Sequence, residues 1–442
     1  MPSFLPQEFE RLTKVYIEKT PKSAALYEAA RQALPGGNTR NNLYFAPYPP
    51  YFEKGEGCFL FDVDGNRYFD FLSDFTVSIC GHSNPTLKAE ILKVLESGTN
   101  FGGCIEAETE LATAIQSRFP SMEKLRFVNS GTEANLYALQ TALAYSKKSK
   151  VIVFSGNYHG GVMNYNQAHS PINVPFDTLI LPYNDTAAFE AAITEHNAEV
   201  GAVVVELLMN SGGCIPADPA FIQSIRAHTA QFDIPFIIDE VMTARLNYNG
   251  LQSQYAVEPD LTTLGKFIGG GFSAGAFGGK HKYMEIFNAE HADFIAHGGS
   301  FNNNVFSMKV GAKSLNTILT KEAMTALNEK GEALRIHLNQ LFDTANVPLV
   351  FTGGGSVMNL HLARTPPTQK NTNPLSKELC ALFHKFLLNE GIWVATRSLI
   401  ALSLETTDQA VSALIKATEK FIDRYAAELK ALDVETESNA NA

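Results

Sequence analysis

Four short apolar runs, Val151 to Phe154, Leu179 to Leu181, Ala202 to Val205 and Phe236 to Ile238, punctuate the middle of the chain. Between them lie stretches with apolar residues at helical spacing, such as Glu133 to Tyr145 and Pro219 to Thr229. Runs too short for helices, with no polar alternation, predict strands buried on both faces. Their alternation with helices predicts an α/β fold, a large domain with a mainly parallel sheet covered by helices. Near the N-terminus, residues Gln7 to Ala33 have helical periodicity and end at the loop signal Pro35-Gly36-Gly37-Asn38. Strand-like residues flank Asp64-Gly65-Asn66, which predicts a hairpin. After Lys321 the helical runs lengthen, with strand candidates at Gly355 to Leu362 and Ile400 to Leu404. This pattern predicts residues 1–60 as an N-terminal segment joining a smaller α+β domain. Residues 61–325 would form the large domain, 326–432 the C-terminal part of the small one, and 433–442 a disordered polar tail.

Composition narrows the class. The chain has 442 residues, 45% of them hydrophobic, enough for a large core and two domains. Its formal charge of −11 disfavours nucleic acid and anionic membrane surfaces as partners. The five cysteines, Cys58, Cys80, Cys104, Cys214 and Cys380, are odd in number and widely spaced, so neither a disulfide framework nor a metal site is expected. The first twenty residues lack the continuous apolar region of an export signal, and nowhere is there a membrane-length apolar run. A cytoplasmic location is the expectation.

Candidate chemistry lies at the ends of the predicted strands and helices. Asn129-Ser130-Gly131-Thr132-Glu133 passes from a strand into a small polar turn that opens a helix, where backbone amides and the hydroxyls of Ser130 and Thr132 can bind a phosphate. Tyr158 and His159 follow the strand at Phe154, and a tyrosine there can lay its ring on a flat heteroaromatic group. Four apolar residues lead directly into Asp239, a carboxylate that is costly to desolvate unless it meets a cation. Lys266 sits between Gly265 and the glycines 269–271, a setting that favours a nucleophilic amine. Gly299-Ser300 opens a further helix and offers another hydroxyl. Taken singly, these segments have ordinary explanations: a capped helix, a packed ring, a structural histidine, a strand-end aspartate, a surface lysine. Together they supply what pyridoxal phosphate requires: a phosphate cradle, a stacking ring, an acid for the pyridine nitrogen and a lysine for the aldehyde. The glycine run 269–271 does not fit a dinucleotide fingerprint, which argues against a nicotinamide dehydrogenase.

On Asn129-Ser-Gly-Thr-Glu-Ala134, Tyr158-His159-Gly160, Asp239-Glu240-Val241 and Thr263-Leu-Gly-Lys266, the chain resembles the class III (fold type I) pyridoxal-phosphate aminotransferases over nearly its whole length. Pro35-Gly-Gly-Asn-Thr-Arg40, Gly81-His82 and Gly265-Lys-Phe-Ile-Gly-Gly-Gly271 resemble the branch that holds glutamate-1-semialdehyde aminomutase and the β-amino-acid aminotransferases. Pro182 to Asp185, Gly269 to Gly279 and Gly299 to Asn304 look most like the aromatic β-amino-acid, β-phenylalanine, group. The resemblance implies that Asp239 pairs with the pyridine nitrogen, with Val241 on one ring face and Tyr158 on the other. It implies Ser130, Gly131 and Thr132 for the phosphate, Ser300 for the phosphate of a neighbouring subunit, and thus a homodimer with shared sites. Arg40 and Arg397 become the residues for the substrate carboxylate. The implied activity is transfer of an amino group from a β-amino acid to an α-keto acid such as 2-oxoglutarate or pyruvate. An intramolecular 2,1-aminomutase and a non-catalytic pyridoxal-phosphate-binding protein remain as alternatives. The family's Glu-Pro after the fourth strand reads Glu206-Leu207-Leu208-Met209-Asn210, which predicts a less rigid, more apolar loop beside the cofactor.

Overall fold

The computed structural model describes residues 4–166 and 170–440, the last eight by backbone alone. The chain divides into two units. One comprises residues 85–328 with 368–370, the other residues 1–84, 329–367 and 371–442.

The first unit is built on a seven-stranded sheet. Its spatial order is Lys124–Val128, Gly275–Gly279, Leu261–Gly265, Phe236–Asp239, Val200–Glu206, Lys150–Phe154, Asp177–Leu181. Pairing is parallel from Leu261–Gly265 outward to Asp177–Leu181, while Gly275–Gly279 runs antiparallel to both of its neighbours. Alternate residues serve opposite faces, as the pleat demands. Ile152, Phe154, Val203, Val205 and Ile238 join Phe189, Phe221 and Ile225 from the helices Thr186–His196 and Pro219–Gln231. Val151, Val153, Val204 and Ile237 join Ala134, Ala138 and Leu139 from the helix Gly131–Ser146. With both faces dry, no polar alternation survives in the strands, which is why the sequence shows short apolar runs.

The second unit has a four-stranded sheet, Phe52–Glu56, Phe59–Asp62, Arg67–Asp70 and Ile392–Trp393, and a three-stranded one, Leu349–Gly354, Val357–Leu362 and Leu399–Ala401. The hairpin forms where Asp-Gly-Asn predicts it: Asp62 Oδ1 accepts the amides of Asp64 and Asn66, and Oδ2 accepts the Tyr68 hydroxyl. This hairpin, expected in the large domain, lies in the second unit because Arg67–Asp70 pairs with Ile392–Trp393. The predicted single N-terminal helix is two, Phe4–Lys19 and Pro21–Ala30. Pro21 opens the second, since its ring suits a helix start and blocks the interior of one. The helix Asp408–Ala440 runs through most of the segment set apart as a polar tail, and residues 441–442 lie outside the described residues. All five cysteines are free thiols.

Candidate active site

The strands Lys124–Val128, Lys150–Phe154, Val200–Glu206, Phe236–Asp239 and Leu261–Gly265 end on one edge of the sheet, where ligands of open α/β sheets bind. Asp239 ends its strand with its side chain 3% exposed. Its Oδ1 accepts the amide of Val241 at 2.9 Å, and Oδ2 accepts the side-chain amide of Asn135 at 2.8 Å and lies 2.8 Å from His159 Nδ1. Asn135 is itself oriented by the Thr263 hydroxyl, which donates to its Oδ1 at 2.7 Å. His159 is buried and its Nε2 has no hydrogen-bond partner among the described residues. Sequence reasoning left His159 open between structure and function and gave Asn135 no role. The chain carried no signal for either, because their shared partner is 80 and 104 residues away.

The phosphate-turn candidates form a capped helix start. Ser130 Oγ accepts the amide of Glu133 at 3.1 Å, and Glu133 reaches back to the amide of Asn129 at 2.9 Å. The cap uses one lone pair of the Ser130 oxygen, and the hydroxyl hydrogen remains for an anion. Close approach explains Gly131: a Cβ there would lie 2.6 Å from Val241 Cγ1. A Cβ on Gly265 would lie 3.2 Å from the Gly131 backbone. Thr132 Oγ1 accepts the amide of Gly161 at 3.2 Å, and a Cβ on Gly160 would lie 2.5 Å from that oxygen. The phosphate turn, the Tyr158 loop, the Asp239 strand end and the Lys266 segment are thereby brought together in one unit.

Lys266 follows its strand directly with φ of 56°, a left-handed conformation that costs a non-glycine residue on the order of 1 kcal/mol and is typical of functional turns. Tyr158 leaves 39% of its surface open. Ser300 is exposed in a loop whose Asn302 Oδ1 accepts from Asn129 Nδ2 at 3.0 Å, one residue before the phosphate turn. The two arginines belong to the other unit. Arg40 Nη1 donates to Asp74 at 2.7 Å and its guanidinium lies 5.4 Å from the Phe75 ring centre. Arg397 Nη1 donates to Asn359 Oδ1 at 3.0 Å.

The loop expected to be more apolar and less rigid is apolar but not loose. Leu207, Leu208 and Met209 are at most 1% exposed, and Leu208–Met209 pairs with Ile215–Pro216 as a two-stranded ribbon. Ladder hydrogen bonds replace the rigidity of the missing proline. Met209 is wedged so closely that a Cβ on Gly156 would lie 2.4 Å from its sulfur.

Residues 45–403 match the model of the family described as aminotransferase class III. This chain belongs to the class III aminotransferases. It is 41% identical to the β-phenylalanine transaminase of Variovorax paradoxus over 93% of this chain and 95% of that protein. The solved structure of a β-phenylalanine aminotransferase from that organism superposes with a TM-score of 0.94 at 40% identity, covering 96% of this chain and 98% of the other. A glutamate-1-semialdehyde 2,1-aminomutase 2 of Geobacillus kaustophilus is 33% identical over 91% of this chain and 98% of its own.

Class III aminotransferases use pyridoxal phosphate, and the residues present fit it. Asp239 has three described donors and no permanent cation among them, so a buried carboxylate is left for a pyridinium N–H to neutralise. Gly131 and Gly265 let Val241 and the Lys266 segment pack against the head of the helix Gly131–Ser146, whose first amides, with the Ser130 and Thr132 hydroxyls, can take a phosphate.

Proposed function

We propose that this aminotransferase takes its amino group from a β-amino acid, aromatic in the manner of β-phenylalanine, and delivers it to an α-keto acid such as 2-oxoglutarate or pyruvate. The 41% identity to a β-phenylalanine transaminase along almost the whole of both chains carries this reading. When bound, pyridoxal phosphate supplies an aldehyde for the amine and a ring that accepts the electrons of the broken C–H bond. The rest falls to the protein. Lys266 Nζ holds the cofactor between turnovers and, once displaced, takes the proton from the amine-bearing carbon of the substrate. Asp239, held in place by Asn135, His159 and the Val241 amide, keeps the pyridine nitrogen protonated. Ser130, Gly131 and Thr132 bind the phosphate, and Val241 and Tyr158 enclose the ring. Arg40 and Arg397 take the substrate carboxylate, because a planar guanidinium can bind it at two points. Ser300 serves the phosphate of a second subunit in a cytoplasmic homodimer. Profiling amino donors against 2-oxoglutarate and pyruvate tests the substrate assignment: β-phenylalanine should rank among the best donors and 1-phenylethylamine well below it. Equal turnover of the two would remove the β-amino-acid reading.

The 33% identity to an aminomutase supports a second reading, an intramolecular transfer. Glutamate 1-semialdehyde supplied without a keto acid distinguishes it, since an aminomutase converts it and an aminotransferase of β-amino acids leaves it.

A further inference from the structure

The strand beside the one that ends in Asp239 ends in a second buried acid. Glu206 is the in-register neighbour of Asp239 and is 4% exposed. Its Oε2 accepts the backbone N–H of Tyr158 at 2.9 Å, and the amide of Asn210 donates to the same carboxyl group. Its own amide donates to Asn157 Oδ1 at 3.1 Å, and its carbonyl accepts the Tyr183 hydroxyl at 2.8 Å. One residue thus joins the loop that carries Tyr158 to the loop that follows the strand Val200–Glu206.

Retaining an acid here is costly. Burial and the adjacent Asp239 charge push the Glu206 carboxyl up to about 8, against the two amides and the Lys266 amine, which favour its charged form. An apolar residue would avoid that cost, so the carboxyl must do something that packing would not. The Tyr158 ring shows what. Tyr158 as a residue is 39% exposed, whereas its backbone N–H ends on a group fixed in the dry interior.

We propose that Glu206 is a positioning residue for the cofactor: by anchoring the Tyr158 amide it fixes the height and tilt of the Tyr158 ring over the cofactor plane. This rests on the reading of Tyr158 as the stacking ring. The test is a double-mutant cycle on the holoenzyme with Glu206→Ala, Tyr158→Ala and the pair. Its readouts are the dissociation constant for pyridoxal phosphate, the circular dichroism of the bound cofactor in its visible band, and the melting temperature. Glu206→Ala should weaken cofactor binding by roughly tenfold to a hundredfold, the worth of leaving a buried N–H without its acceptor, and diminish the visible dichroism per bound cofactor. In the Tyr158→Ala background the same change should add less than about threefold, because the group it acts through is gone. Glu206→Gln, which keeps a carbonyl for the Tyr158 amide, should retain the dichroic band. Should Glu206→Ala not fold, Glu206→Asp, which withdraws the carboxylate by one methylene, carries the same cycle. Additive losses, a Gln variant as impaired as the Ala variant, or a lower melting temperature with an unchanged dichroic band would each overturn the proposal. Tyr158→Ala with unchanged affinity and dichroism would overturn the stacking reading itself, whatever the Glu206 variants do.

Discussion

Asp239 and Arg40 are held in opposite ways. The Asp239 side chain is 3% exposed, fixed by three donors, one of which is fixed in turn by Thr263. The Arg40 side chain is 42% exposed and meets Asp74, itself 47% exposed, through a single ion pair. A buried carboxylate whose donors are themselves held has no solvent to compensate a shift, so its position is determined from several directions. An exposed guanidinium exchanges partners at a cost of about 0 to 1 kcal/mol. In the proposed function, the group that serves the cofactor is rigid, whereas the group assigned to the substrate carboxylate is adjustable.

The turn that carries Asp74 complicates the contrast. Ser73, Asp74, Phe75 and Thr76 all have positive φ, between 45° and 78°. Such a run is sustained by the buried Asp70, whose Oδ1 accepts the amides of Leu72 and Ser73 and whose Oδ2 lies 2.8 Å from His82 Nε2. Arg40 is exposed at its tip, but the acid and the ring it meets stand on a hydrogen-bonded turn.

The largest test of the comparison is Lys266→Ala. Turnover should fall by about 10⁴-fold, the upper end for a positioned proton-transfer group, and the visible absorbance at roughly 400 nm should disappear while the protein remains folded. Retained activity would detach the chemistry from this edge of the sheet. Asp239→Asn comes next, with cofactor still bound and kcat lower by about a hundredfold to a thousandfold, as expected when a preorganised charge is removed. Steady-state rates near wild type would make Asp239 an ordinary strand-end residue.

Arg40→Ala and Arg397→Ala should act on KM more than on kcat. Each should raise KM for at least one carboxylate partner by roughly tenfold to a hundredfold, and separate assays of the two half-reactions would show which arginine serves which substrate. Unchanged KM values for both would leave the substrate carboxylate without its assigned partners.

A smaller effect concerns pH. The Glu206 carboxyl, raised from 4.5 to about 8, holds a proton in the folded state that the unfolded chain has lost between those values. Its contribution to stability is therefore complete below pH 4.5 and is lost as pH rises through about 8, with a slope of up to about 1.4 kcal/mol per pH unit. Denaturation of the cofactor-free chain from pH 5 to 8 should show this slope in wild type and a flatter profile in Glu206→Gln. Parallel profiles would mean that Glu206 is ionised throughout. The smallest effect belongs to Asp74→Asn, which should change KM for carboxylates by less than about fivefold, because an exposed pair is worth little. A larger change would make the Arg40 pair as consequential as the buried network and erase the contrast.

The glycine-rich segment Gly275–Gly279 shows where the sequence stopped being legible. It forms a central, antiparallel strand, but it lacks the β-branched residues that mark strands. Its glycines answer to neighbours remote in sequence: a Cβ on Gly275 would lie 2.2 Å from the Ser130 carbonyl oxygen, and one on Gly279 2.1 Å from that of Asp260. The same holds for Asn135, His159 and Glu206, whose partners are fixed by strand register rather than by local spacing.

By itself the sequence determined the alternation of buried strands and helices, the capped turn at Ser130 and the placement of Asp239 and Lys266 at strand ends. Those features depend on residues near one another along the chain, through periodicity, capping and turn chemistry. The tertiary structure decided that Asn135 and His159 converge on Asp239, that Val241 closes over Gly131, and that Glu206 holds the Tyr158 amide. It decided these because parallel strands place their ends side by side only after long crossovers, so the neighbours of a buried acid are chosen by sheet order, which no local pattern encodes.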